Sequence, residues 1–247
     1  NSYARISRLI IGIMSKERNT QNARALSKHC LDIGFFTRDI DRTLEFWREE
    51  FRLPFEEPIK FNDGLTQYRH SLGESVIKIN TSDRDIEKSP CGYRELYVAD
   101  SDTTVPFSTS DPDGNIVTRV PKGHLGIDGL GVKIVTPNLK AQHLFYTQVM
   151  GFQDLGSNSF AAGNSILFVE QTDIQEPTGH WTDLGFRYLT LHVKKVDACF
   201  EAITAAGATV GETPYSIGKI ARISFIRDPQ GNWIEVAQRA SLAGGWW

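Results

Sequence analysis

Four short stretches of the chain recur in the same order, and this constrains the fold more than any other feature. Asp39–Trp47 (DIDRTLEFW) answers Asn138–Tyr146 (NLKAQHLFY), and Leu72–Ile79 (LGESVIKI) answers Ala162–Val169 (AGNSILFV). Gly92–Leu96 (GYREL) answers Gly185–Leu189 (GFRYL), and Asp111–Val120 (DPDGNIVTRV) answers Asp228–Ala237 (DPQGNWIEVA). One DPxGN is only good turn chemistry between two strands. Four ordered pairs amount to an internal duplication, with halves at about 29–122 and 125–240.

Each half opens with a short strand and then a helix. Asp39 is placed to cap the first helix, with Ile40, Leu44 and Trp47 on one apolar face. Asn138 takes the same place in the second half, with Ala141, Phe145 and Val149 on the face. Alternating strands follow. Arg187–Val193 then reads as a strand and Asp197–Ala206 as a helix, with Gly207 at the C′ position. The second half is therefore βαβββ written twice.

The first half is shorter. Gly92 to Asp111 spans 19 positions against 43 from Gly185 to Asp228, so 24 residues are missing, about one helix and one strand. A sheet face without its helix calls for a cover: a partner subunit, the leader or the tail. The leader, residues 1–28, holds six basic residues and Glu17 as its only acid. It reads as a disordered tail or upstream extension, with a transit sequence as the alternative. Residues 241–247 read as a tail whose paired tryptophans dock on the body.

The composition excludes several function classes. With 27 Lys+Arg against 30 Asp+Glu, the chain has no electrostatic footprint for nucleic acid. Its longest apolar run, Leu9 to Met14, is too short to span a bilayer. Cys30, Cys91 and Cys199 are widely spaced and odd in number, which fits a reducing, cytoplasmic setting. There is no GxSxG elbow, no GxGxxG and no GxxxxGK[ST] loop.

Paired βαβββ modules, a helix beginning D/N-L/I and closing on F-[YW], and the DPxGN ending resemble the vicinal oxygen chelate superfamily. Its members include glyoxalase I, extradiol dioxygenases, methylmalonyl-CoA epimerase and the fosfomycin and bleomycin resistance proteins. The resemblance covers residues 29–240. It implies an α+β fold: tandem βαβββ modules forming U-shaped mixed sheets around cavities, here with the first half missing one helix. It also implies a homodimer and a divalent metal (iron, zinc or manganese) held by His, Glu or Gln on the first and last strands of modules.

At the positions the resemblance assigns to ligands, the first half carries Asp32, Lys78, Glu95 and Thr118, and the second carries Gly131, Phe168, Tyr188 and Glu235. An ammonium, a glycine and a phenylalanine are not ligands for a divalent ion. No metal cofactor is therefore expected, unless the ligands lie elsewhere. Asp32 and Lys78 fall where the superfamily holds one metal jointly, so the resemblance implies that they meet and replace it.

Strand alternation puts Tyr188, Thr190 and His192 on the face opposite Leu189, Leu191 and Val193, and Trp233 and Glu235 opposite Ile234 and Val236. Such polar and aromatic faces suit an oxygen-bearing, ring-containing small molecule. The candidate catalytic groups are Glu235 as acid or base, Tyr188 as donor and His192 as base. The candidate substrate-binding groups are Asp32, Lys78, Glu95, Trp233 and Thr190. Three readings stay open. One is an isomerase, lyase or hydrolase acting on a carbonyl or ring compound by acid–base chemistry. The second is a non-catalytic binding or resistance protein. The third is a metal-dependent glyoxalase or dioxygenase.

Overall fold

The structure, a computed structural model, describes residues 24–61, 64–173 and 178–244. The leader up to residue 23 and the tryptophans at 246 and 247 lie outside the described residues.

Four modules follow one another along the chain. The first comprises β1 (Leu26–Phe36), α1 (Ile40–Glu45, continued by a π-helical turn over Phe46–Glu50), β2 (Phe55–Lys60), β3 (Leu65–Leu72) and β4 (Ser75–Ser82). The second has only β5 (Tyr93–Asp100), β6 (Phe107–Ser110) and β7 (Ile116–Pro121). The third repeats the first as β8 (Leu130–Thr136), α2 (Leu139–Leu144, with a π turn over Phe145–Val149), β9 (Gln153–Gly156), β10 (Ser159–Ala162) and β11 (Ser165–Gln171). The fourth comprises β12 (Gly185–Val193), α3 (Val196–Ala205), β13 (Thr209–Ile217), β14 (Ala221–Arg227) and β15 (Trp233–Arg239), before a last turn, α4 (Ala240–Ala243). The fold is α+β, and the second module lacks one helix and one strand. The caps are those the sequence marks: Asp39 accepts from Arg42 N–H at 3.2 Å and Asn138 from Ala141 N–H at 3.0 Å.

The sheets do not follow the halves. An eight-stranded sheet runs β13-β14-β15-β12-β1-β4-β3-β2, and a seven-stranded sheet runs β6-β7-β5-β8-β11-β10-β9. The first module thus shares a sheet with the fourth, through the antiparallel β1–β12 pair, and the second shares one with the third through β5–β8. The repeated motifs explain this crossing. Gly92 N–H donates to Asn232 of the DPQGN turn at 2.7 Å, and a Cβ on Gly92 would lie 2.5 Å from that side chain. A Cβ on Gly185 would meet Asn115 of the DPDGN turn at 2.8 Å. Each copy of one motif locks into the opposite copy of the other. Within each turn the aspartate binds the following backbone, Asp111 to Asn115 N–H and Asp228 to Asn232 N–H, both at 2.8 Å.

β1 begins at Leu26, ahead of residue 29 where the first half was placed, because Leu26 pairs with Val193 across an irregular stretch that ends at Leu31. The faces turned away from the concave sides of the two sheets share one continuous apolar cluster, from Ile33 and Phe35 through Trp47 and Tyr146 to Leu96, Val98 and Val132. The expected bare face of the shortened module is covered within the chain. Leu96, Val98 and Val117 are buried, and Phe51, just past α1, lies 5.1 Å from the Arg119 guanidinium of β7.

Candidate functional site

The concave face of the eight-stranded sheet carries every second residue of six strands. Asp32, Gly34 and Phe36 come from β1, and Lys78 and Asn80 from β4. Tyr188, Thr190 and His192 come from β12, Trp233, Glu235 and Arg239 from β15, Phe225 and Ile223 from β14, and Gln67 and Arg69 from β3. Register brings the chemistry together: Asp32 stands opposite Thr190, Gly34 opposite Tyr188 and opposite Lys78, and Thr190 opposite Glu235.

Lys78 lies at the centre. Its Nζ donates to Glu235 Oε2 at 2.7 Å and to Thr190 Oγ1 at 2.7 Å. Thr190 in turn donates to Glu235 Oε2 at 2.5 Å. Burial disfavours the Lys78 ammonium and lowers its pKa, while Glu235 and Asp32 work against that shift. Burial would raise Glu235, but the charge and hydrogen bond of Lys78, with Thr190, outweigh it and hold the carboxyl low. Glu235 Oε1 has no partner among the described residues, and Glu235 lines the cavity.

A second charged group sits behind this pair. Asp32 is fully buried, accepting from Lys28 Nζ at 2.5 Å, from Val76 N–H at 2.9 Å and from His192 Nε2 at 2.7 Å. Burial opposes its charge, but the bond from His192 and the nearby cations hold it well below the usual carboxylate range. Burial disfavours the His192 imidazolium, so its pKa is lowered and the ring donates Nε2–H to Asp32. Its Nδ1 is buried without a partner among the described residues.

The cavity in front of these groups has a volume of about 260 Å³. Trp181 and Phe225 form its aromatic wall, stacked with ring centres 4.9 Å apart, and Tyr188 stands edge-on to Phe225 at 5.7 Å. The Tyr188 ring lies across Gly34, where a Cβ would fall 2.0 Å from its Cζ. Burial pushes the phenol pKa well up, so Tyr188 stays protonated. Its oxygen accepts from Asn80 Nδ2 at 3.1 Å, which leaves its own hydrogen to donate.

Several expectations change. Lys78 is paired with Glu235, and Asp32 with Lys28 and His192, because β1 stands between β4 and β12 and the fourth module supplies the nearer carboxylate. Glu95 belongs to the other sheet, bound to Lys133 at 3.0 Å and to Thr118, since the second module pairs with the third. Trp233 backs the wall, its indole N–H held by Gly179 O at 2.8 Å, and Thr190 is fully buried behind the ion pair. Gln67, Arg69, Trp181, Phe225 and Arg239 were missed. All but Trp181 follow from carrying the strand alternation past Glu235 and Lys78 to the neighbouring strands; Trp181 sits in a loop without that signal.

The donor set does not fit a divalent metal. The centre of the site holds an ammonium, Asp32 already accepts from three donors, and among the described residues no group of three or more His, Cys, Asp or Glu converges to hold an ion.

Comparison with known proteins places the chain in a family. Residues 124–236 match the profile of the Glyoxalase/Bleomycin resistance protein/Dioxygenase superfamily. A probable lactoylglutathione lyase from Vibrio parahaemolyticus is 32% identical over 114 residues, 41% of this chain and 83% of that protein. The chain belongs to the glyoxalase superfamily. Solved structures agree on the fold. A glyoxalase I mutant from Zea mays aligns with TM-score 0.71 at 14% identity, over 90% of this chain and 96% of that one. A putative dioxygenase from Bacillus subtilis aligns with TM-score 0.64 at 12% identity, over 87% and 86%. The divalent metal that the sequence resemblance implies has no matching donor set at the centre of this cavity.

Proposed function

We propose that the chain binds a ring-bearing carbonyl compound beneath the eight-stranded sheet and moves a proton on it without a metal. One observation carries this reading: the Lys78 ammonium sits 2.7 Å from Glu235 Oε2, while Glu235 lines the cavity and its Oε1 has no partner among the described residues. The ring lies against Trp181 and Phe225, and the carbonyl oxygen takes a hydrogen bond from Tyr188, with the Lys78 ammonium behind Glu235 as the nearby positive charge.

Glu235 then removes a proton from the carbon next to the carbonyl. The C–H electron pair forms the C=C bond, and the negative charge passes to the substrate oxygen. Lys78 faces an anion before and after the transfer, so the net charge of the site does not change and the enolate is stabilised where it forms. Return of the proton to a different carbon, or to the other face, completes an isomerisation. A second reading, binding without turnover, draws support from Glu235 itself: a carboxyl held low by an ammonium is a weak base.

Deuterium exchange separates the two. Phenylacetone is incubated with the protein in deuterium oxide and followed by proton NMR, with binding measured by tryptophan fluorescence. The expected result is faster loss of the α-hydrogens than in buffer, falling on the order of 100-fold in Glu235→Gln while binding persists. Binding with no exchange would leave the binding reading in its place.

A further inference from the structure

A smaller chamber of about 50 Å³ adjoins the main cavity, and Phe61, Gln67, Ile217, Ile223 and Glu235 wall both. Arg69, Lys78, His192 and Arg239 join them in its lining, with four aliphatic side chains. Most of its charges are matched. Arg69 Nε donates to Glu56 at 2.8 Å, Lys78 is paired with Glu235 at 2.7 Å, and Lys28 neutralises Asp32 behind His192 at 2.5 Å. Arg239 is different. It ends β15 on the same face as Glu235, partly buried, with no ion pair or hydrogen bond from its guanidinium to any described residue. Burial and the like charge of Arg69 work against the guanidinium and outweigh the carboxylates of Asp32, Glu56 and Glu235, which favour it from a distance without bonding to it.

A half-buried cation beside another cation is unfavourable unless an anion reaches it. We infer that the smaller chamber is an anion subsite in which Arg239 takes a carboxylate of the ligand. The inference rests on the proposed use of the main cavity and narrows its ligand to a ring-bearing carboxylic acid. A carboxylate suits the site for three reasons. A volume of about 50 Å³ holds only a few water-sized atoms. One unmatched positive charge calls for one negative charge. The flat guanidinium matches two coplanar oxygens. Because the two chambers share walls, one ligand can place its ring on Trp181 and Phe225 and its carboxylate on Arg239.

The test compares 3-phenylpropionate with its neutral carboxamide, and both with acetate, by isothermal titration and tryptophan quenching. The wild-type protein is expected to bind the acid at least tenfold more tightly than the amide, and acetate more weakly than either. Arg239→Met should bring the acid down to the amide, leave the amide within twofold and keep the melting temperature, and Arg239→Lys should restore part of the preference. Equal affinity for acid and amide in the wild type, or a preference that survives in Arg239→Met, would overturn the subsite while the cavity reading stands. Acetate binding as tightly as the acid would make it a site for a free anion and overturn it as well. If neither the acid nor the amide binds, the use of the main cavity fails with it.

Discussion

The two sheets are built on one plan, yet the eight-stranded one carries a cavity beside a buried ion pair, while the described residues of the seven-stranded one place large side chains at the matching positions. At the position of Lys78 the seven-stranded sheet has Phe168, packed edge-on to Tyr97 at 5.6 Å. Where Gly34 leaves room for the Tyr188 ring, the other sheet has Lys133, bound to Glu95 at 3.0 Å and Glu170 at 3.2 Å. Ile127 then packs against Gly131, and Ile166, Ala99 and Val120 close the apolar floor. The second module lacks the counterparts of α3 and β13, and β13 with its turn supplies Tyr215, Ile217 and Gly218 to the cavity wall of the eight-stranded sheet. A concave face with no wall would expose apolar surface to water, and large side chains fill it instead. The module without that helix and strand thus keeps its place in a sheet while its concave face is filled by side chains.

The largest effect expected of this difference is on stability. The Lys78–Glu235 pair is buried, with side chains 5% and 11% exposed, whereas Lys133 is 23% exposed. Lys78→Ala or Glu235→Ala leaves one charge uncompensated and should cost about 3–5 kcal/mol in urea denaturation. The double change Lys78→Met with Glu235→Leu should cost clearly less than either, and Lys133→Ala about 1 kcal/mol or less. Equal losses at Lys78 and Lys133 would erase the distinction between the sheets.

A smaller effect is expected at the glycines. Gly34→Ala puts a Cβ 2.0 Å from the Tyr188 ring and should cost roughly 1–3 kcal/mol while shrinking the cavity. Gly131→Ala meets the flexible end of Ile127 at 2.9 Å, so its cost should be less than half as large. The ratio of the two urea midpoint shifts is the readout.

Acid should act on the eight-stranded sheet in two steps. His192 is held below its ordinary value, so below about pH 6.5 the unfolded chain takes up a proton that the folded chain resists, and stability falls. Asp32 and Glu235 are also held low; their contribution is present above about pH 4 and is lost as pH drops toward the folded values. In His192→Gln the urea midpoint should no longer fall between about pH 7 and 5, while the step near pH 4 remains. A first step unchanged in that variant would assign it to another group.

The smallest effect concerns the phenols. Tyr188→Phe removes a donor to the ligand and should weaken phenylacetone binding by about three- to tenfold, roughly 1 kcal/mol. Tyr97→Phe, in the filled sheet, should leave that binding unchanged.

Most of the architecture was legible because it rests on local signals: caps at Asp39 and Asn138, alternation in β12 and β15, turn chemistry at Asp111 and Asp228, and the repeats themselves. The shortened second module was legible from spacing alone. Which modules share a sheet was not, because that depends on contacts between distant segments, such as Gly92 on Asn232. This one point misassigned Glu95 and the partner of Lys78 together. Tyr188, Glu235, Lys78 and Asp32 were chosen by position, and register places each on the concave face. The Asp32–His192 contact and the unmatched charge of Arg239 depend on three-dimensional pairing and leave no mark in the sequence.

In the proposed function an ion pair, and not a metal, forms the centre of the cavity. Isothermal titration of zinc, manganese and iron(II) into chelator-treated wild-type protein, beside Lys78→Ala and Glu235→Gln, tests it most directly. The wild type should take up no equivalent of any of these ions with a dissociation constant in the micromolar range or tighter, and its binding of phenylacetone should be unchanged by chelator. One equivalent of metal bound tightly by the wild type and lost in Glu235→Gln would contradict the account.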